Sequence, residues 1–283
     1  MTGPDLATGD RKSTTVPLAA PGAAGDVERL NVALNLAYLG AQYHRIAVTG
    51  DGLPRHLLAG IGELGSARGG RKIAFHDPDL ARYADEIAGD KVAHVAALRS
   101  ALGNAAAAQP SIDLTQEPYS AFFIAGRAAR LNGETTTFDP FSGDPAFLLG
   151  AFVVGNEVAA CNRMLLLGIL GATARTTVAG VLADSIYHGG LIRSLLETKA
   201  AADPMIARAL ASLGAMQALA TDGTRRDGQA SGSGAYGADL IDAAGNPIPF
   251  LRSPAQAMTL QCSPTADCPI GFFFPAGFNG LAS

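Results

Sequence analysis

Two short spacings carry the residues that could do chemistry. Lys91-Val92-Ala93-His94 and Ser185-Ile186-Tyr187-His188 each place a polar side chain three positions ahead of an imidazole. On a helix, residues three apart share a face, so within each pair both side chains project the same way. A Glu in the leading position would let a carboxylate and an imidazole bind the same metal pair. A helical bundle completes such a site with one Glu from each of two further helices. Here the leading residue is an ammonium in one motif and a hydroxyl in the other. Each pair also has a plainer reading, as a core histidine with a hydrogen-bond partner and as a lysine whose stem alone is buried while its head reaches water.

The elements that must position these residues are helices. A helix from Pro78 follows Asp77 as a cap and stops at Gly103, with the stripe Leu80, Ala84, Ile87, Lys91, His94, Leu98 and Leu102. Another, over about 173–200, carries Val178, Val181, Ser185, His188, Ile192 and Leu195 on one face. In both, two polar residues interrupt an apolar stripe at mid-length. A first helix is expected from an Asp26 N-cap to about Ala47, with Leu30, Leu34, Tyr38 and Ala41 on one side. A helix over about 145–170 is apolar nearly all round and should be buried, with Leu148, Ala151, Gly155, Val158, Asn162 and Leu165 on one stripe. A shorter helix over 118–131 and a fifth from Asp203-Pro204 to near Ala220 complete the set. Residues 48–77 read as Gly-rich and irregular, and 221–237 as a mobile Gly/Ser/Asp-rich stretch. Three consecutive phenylalanines, Phe272 to Phe274, must dock on the bundle or a partner, since each loses roughly 1.5–3 kcal/mol by staying in water.

Composition narrows the classes of function. Hydrophobic residues make up 48% of the 283 and charged residues 16%, which excludes a disordered chain and allows a full core. A net charge of −4 with scattered basic residues leaves no footprint for nucleic acid. The longest strongly apolar run, Met164 to Ala172, falls far short of the roughly 20 residues of a bilayer span, so no transmembrane segment is expected. The Thr-, Gly- and Pro-rich start has no apolar run of signal-peptide length. Gly-rich 222–237 has no lysine at P-loop spacing, and no nucleophile-elbow motif is present. Cys262 and Cys268, with five residues between them, have a spacing that suits a small disulfide loop; if joined, they argue for an oxidising compartment. Cys161 reads as an inert core thiol.

In order along the chain, several segments resemble the ferritin-like, desiccation-related proteins of the ferritin-2 group. They are Leu30 to Leu36, Glu86-Ile87-Ala88 through Ala93-His94-Val95 to Leu98-Arg99, Phe138-Asp139-Pro140-Phe141, Phe147 to Phe152 and His188 to Arg193. Arg252 to Gln256 and Phe273 to Gly280 are similar to that family's ending. The resemblance implies an all-α, ferritin-like four-helix bundle with an additional helix and a long irregular C-terminal extension. The divisions expected are an arm over 1–25, the bundle over 26–220 and an extension over 221–283 packed on it.

The same resemblance implies where metal-binding carboxylates would stand, and none is there. The first-helix position falls on Ala37 or Gly40, the second on Lys91 before His94, the third on Gly155, and the fourth on Ser185 before His188. Two neutral imidazoles cannot balance two iron ions, which need anionic oxygen ligands, and an ammonium among them repels a metal. Asp90, Glu157 and Asp184 are one or two helical positions away from the required face. The expectation is therefore a degenerate site: no metal or cofactor, and no catalytic residue. The role would be structural or stress-associated, carried by surfaces and by homo-oligomer formation, with the protein partner unknown. The alternative is a metal-binding protein or oxidoreductase using iron or another transition metal at His94 and His188. A small-ligand binder in the vacated core is a third reading. The resemblance places such proteins in the periplasm or outside the cell, whereas no signal peptide is seen in this sequence.

Overall fold

The structure is a computed structural model that describes residues 23–128, 137–219 and 273–281. Six α-helices are present among them: α1 (Ala23–Thr49), α2 (Pro78–Leu102), α3 (Ala121–Ala128), α4 (Asp144–Gly168), α5 (Ala172–Ala202) and α6 (Pro204–Leu219). The architecture is all-α. Two-residue strands β1 (Ala67–Arg68) and β2 (Ile112–Asp113) pair in parallel and join the two loops that flank α2. The long helices close a ring in which α1 packs on α2, α2 on α5, α5 on α4 and α4 on α1, while α6 leans on α5.

Helix ends follow local chemistry where the sequence shows it. Asp77 caps α2 by accepting the amides of Asp79 and Leu80, Pro78 opens its first turn, and Gly103 at φ 56° ends it. Asp26 behaves differently from expectation. Helix α1 begins three residues earlier, at Ala23, and the Asp26 carboxylate accepts the amides of Leu170 and Gly171 at 3.0 and 2.7 Å. An apparent cap of α1 thus serves the turn between α4 and α5, where the first amides of a helix need partners.

Helix α1 is buried almost all round from Arg29 to His44, so its polar residues need partners inside the protein. Asn31 donates to Ala105 O and Gly280 O and accepts from Ala107 N. Asn35 donates to Asn279 O at 2.9 Å and accepts from Asn279 N at 3.1 Å. Gln42 bonds Gln109 and Leu53 N. The backbone of the C-terminal segment is therefore fastened to α1 by the Asn31 and Asn35 side chains. Phe273 and Phe274 are buried, and the Phe273 ring meets Phe122 edge-on at 5.1 Å. Phe272, the 221–237 stretch, Cys262 and Cys268 lie outside the described residues.

Helix α4 alone among the described helices has the length and apolarity of a membrane span. Its most apolar window is 75% buried within the protein, which marks it as a core helix.

Candidate functional site

Lys91 enters the bundle from α2 and is 5% exposed. Its stem lies against α1 at Gly40: a Cβ built there would stand 3.6 Å from Lys91 Cδ and 3.9 Å from Cε. The side chain absent from Gly40 leaves the room that the lysine stem fills. Ala37, one turn earlier, is also buried. At its head, Lys91 Nζ donates to Ser185 Oγ on α5 at 3.4 Å, a long bond. Burial pushes the ammonium down to about 8, while the Asp184 and Asp90 charges work the other way.

Two crossed pairs flank this lysine. His94 on α2 donates from Nε2 to Asp184 Oδ2 on α5, and His188 on α5 donates from Nε2 to Asp90 Oδ2 on α2, each at 3.0 Å. The sequences Asp90-Lys91-x-x-His94 and Asp184-Ser185-x-x-His188 thus interlock as near mirror images. Both aspartates are about half exposed, so they reach the imidazoles from the rim. The expectation placed Asp90 and Asp184 off the face that would bind a metal. They do lie off the face, yet a carboxylate arm spans the gap to the neighbouring helix. Glu157's side chain lies outside the described residues.

These bonds fix the tautomers. A carboxylate only accepts, so each Nε2 carries the proton and each Nδ1 holds a bare lone pair. Burial, and then the Lys91 charge, push His94 down to about 4 and lower His188, so both rings are neutral at pH 7. The two ring centroids are 6.2 Å apart. His188 Nδ1 is buried with no hydrogen-bond partner among the described residues.

A third imidazole joins them. His44, one helical turn past Gly40 on α1, donates from Nδ1 to Gly40 O at 2.8 Å. Its Nε2 is buried and without a hydrogen-bond partner among the described residues. Burial and the Lys91 charge bring this ring down to about 3. The sequence pattern did not single it out, because a helix buried on all sides has no stripe to mark a special position. Its place four residues after Gly40 was the available signal. Across the ring, a Cβ built on Gly155 of α4 meets nothing within 4 Å, so the structure does not pack Gly155 against the Lys91 centre. Asn162, two turns further along α4, is fully buried and both of its side-chain polar atoms lack partners among the described residues.

Outside the crossed pairs, a cleft of about 590 Å³ runs between α2 and α5, lined by Ala93, His94, Ala97, Thr173, Thr176 and Asp184 among others. The His94–Asp184 pair belongs to that lining, and Lys91 stands one turn before His94 on α2.

The helical bundle agrees with what the sequence comparison gives. Residues 25–198, which take in nearly all of the four helices of the ring, match the ferritin-like domain family. The chain belongs to that family. No curated protein and no solved structure matches it.

The donor set does not fit a carboxylate-bridged metal pair. The four positions in question hold Ala37 or Gly40, Lys91, Gly155 and Ser185. The two aspartates nearby are engaged by the imidazole N–H groups. What remains directed inward is uncharged nitrogen, which cannot neutralise two hard cations. Among the described residues the Lys91 ammonium donates to the Ser185 hydroxyl.

Proposed function

We propose that this ferritin-like protein works without a metal pair, with the Lys91 ammonium standing where a bundle of this kind would place its cations. The observation that carries the reading is the burial of Lys91 between Gly40 and Ser185, with a histidine–aspartate pair on either side. Such a centre has no redox ion, so the protein is not an iron oxidase or an iron store. Its role is structural, of the stress- or desiccation-associated kind that the resemblance implies, and self-association through helix faces belongs to the same proposal. Elemental analysis of the purified protein tests this directly: less than about a tenth of an equivalent of iron, manganese or zinc is expected. Lys91→Glu should be destabilised, because it restores a carboxylate where no cation balances it. A metal-free Lys91→Glu variant as stable as the parent would refute the stand-in role.

A second reading rests on the buried, unpartnered Nδ1 of His188 and its closeness to the His94 ring. Two neutral imidazoles could hold one borderline ion such as zinc or copper if Lys91 withdrew. Stoichiometric metal that disappears in His94→Ala would favour this reading over the first.

A further inference from the structure

Asn-Gly occurs twice in the chain, at Asn132-Gly133 and Asn279-Gly280, and the second lies in the C-terminal segment docked on α1. With no side chain on the glycine, its amide nitrogen comes within reach of the asparagine Cγ, which makes such a pair prone to lose ammonia. In the folded protein the Asn279 amide is held. Its Nδ2 donates to Glu63 O at 2.6 Å and to Ala108 O at 3.1 Å, so both donors of the group are used. Its Oδ1 lies against Gly62, where a Cβ, built at φ 96°, would stand 2.6 Å from it. Asn35 grips the Asn279 backbone at both its N–H and its C=O. Gly280 is as closely seated, since a Cβ on it would stand 2.8 Å from Asn31 Nδ2 and 2.9 Å from Ala107 Cβ.

We propose that Asn279 is a deamidation site guarded by the docking of its own segment, and that its conversion releases that segment in one direction only. In the first step Gly280 N gives its proton to water and attacks Asn279 Cγ. The new N–C bond closes a five-membered succinimide, the Cγ–Nδ2 bond breaks, and the nitrogen takes a proton back from water and leaves as ammonia. Water then opens the ring at either carbonyl, giving aspartate or isoaspartate. No oxidant or reductant is consumed. Ring closure draws Cγ onto Gly280 N and expels the atom that makes both side-chain bonds, so the segment must lift first. Neither product fits the seat again. A carboxylate only accepts, and here it would face the Glu63 and Ala108 carbonyl oxygens with no proton between them. Isoaspartate also adds a carbon to the main chain, which shifts Gly280 out of its close fit beside Asn31 and Ala107. Release uncovers the Asn31 and Asn35 side chains on α1 together with the Phe273 and Phe274 rings.

Ageing of the full chain tests the site. Peptide mapping by mass spectrometry follows both Asn-Gly pairs in mildly alkaline buffer, with and without guanidinium chloride. Asn279 should convert at least about tenfold more slowly in the folded protein than in denaturant. Asn35→Ala frees the Asn279 backbone and leaves its side-chain bonds in place. That variant should speed conversion at Asn279 severalfold and leave Asn132 as it was. Hydrogen exchange reads the release. In Asn279→Asp, and in the converted fraction of the aged parent, the amides of residues 273–281 should lose protection while those of α2 and α5 keep theirs. Equal rates at Asn279 in folded and unfolded protein, or a rate indifferent to Asn35→Ala, would overturn the guard. A converted parent whose segment stays protected would overturn the release.

Discussion

Helix α1 serves two polar regions that are treated in opposite ways. On one side, Asn31 and Asn35 facing the C-terminal segment and Gln42 facing Gln109 and Leu53 are buried and hydrogen-bonded. Toward α2 and α5, among the described residues, His44 keeps a bare nitrogen, His188 keeps another, and Lys91 has one long bond. The first region is a satisfied network, which stabilises and fixes geometry. The second is under-satisfied in a dry interior, where such groups weaken a fold. One helix thus carries a satisfied polar network on one side and an under-satisfied one on the other.

The largest effect should come from breaking the satisfied side. Asn31→Ala removes three contacts and strands Ala107 N, Ala105 O and Gly280 O, and should lower stability by about 3 kcal/mol in chemical denaturation. A loss below about 1 kcal/mol would show that the two regions are not so different.

Acid should act on the other side. His94 titrates near 4 and His44 near 3 in the folded protein, against 6.5 when unfolded. Below 6.5 the unfolded chain therefore binds protons that the folded one refuses. Stability is full above about pH 6.5 and falls as the pH drops toward 4, by a few kcal/mol in order of magnitude. A flat denaturation midpoint across that window, once carboxylate titration is accounted for in the His44→Phe/His94→Leu double variant, would contradict the neutral, buried rings.

Removing the buried charge outright sharpens the contrast. Lys91→Met keeps the stem and deletes the ammonium, and should leave stability unchanged or raise it by ~1–2 kcal/mol. A loss of similar size would mean that the ammonium is a net stabiliser, and the under-satisfied region would then be a structural network after all. The smallest change is expected at the rim. Asp184→Asn keeps an acceptor for His94 Nε2 and touches a half-exposed group, so it should shift stability by less than about 1 kcal/mol, while NMR titration shows His94 lowered further.

Much of this was legible before any coordinates. Asp77-Pro78 and Gly103 gave the ends of α2, and the interrupted stripes placed Lys91, His94, Ser185 and His188 in the interior. The three phenylalanines required docking of the tail, and Phe273 and Phe274 are buried. What escaped the sequence shares one physical cause: partners far apart in the chain. Asp26 sits at a helix start like any cap, and nothing local reveals that its acceptors serve amides 144 and 145 residues away. Asp90 and Asp184 lie off the face in a helical projection, which ignores the reach of a side chain to the adjacent helix. His44 belongs to a helix with no exposed side, so periodicity carried no information about it. The disulfide spacing of Cys262 and Cys268 concerns residues outside the described structure, where it stands as an expectation.

The paired bonds between Asn35 and Asn279 bridge 244 positions of chain. During synthesis α1 emerges from the ribosome early, and its amide groups wait for a segment translated much later. Until that segment arrives, water must solvate them, and the first helix cannot settle into its final surroundings. The packing of this face of α1 is therefore completed only once the segment from Phe273 to Gly280 has been synthesised.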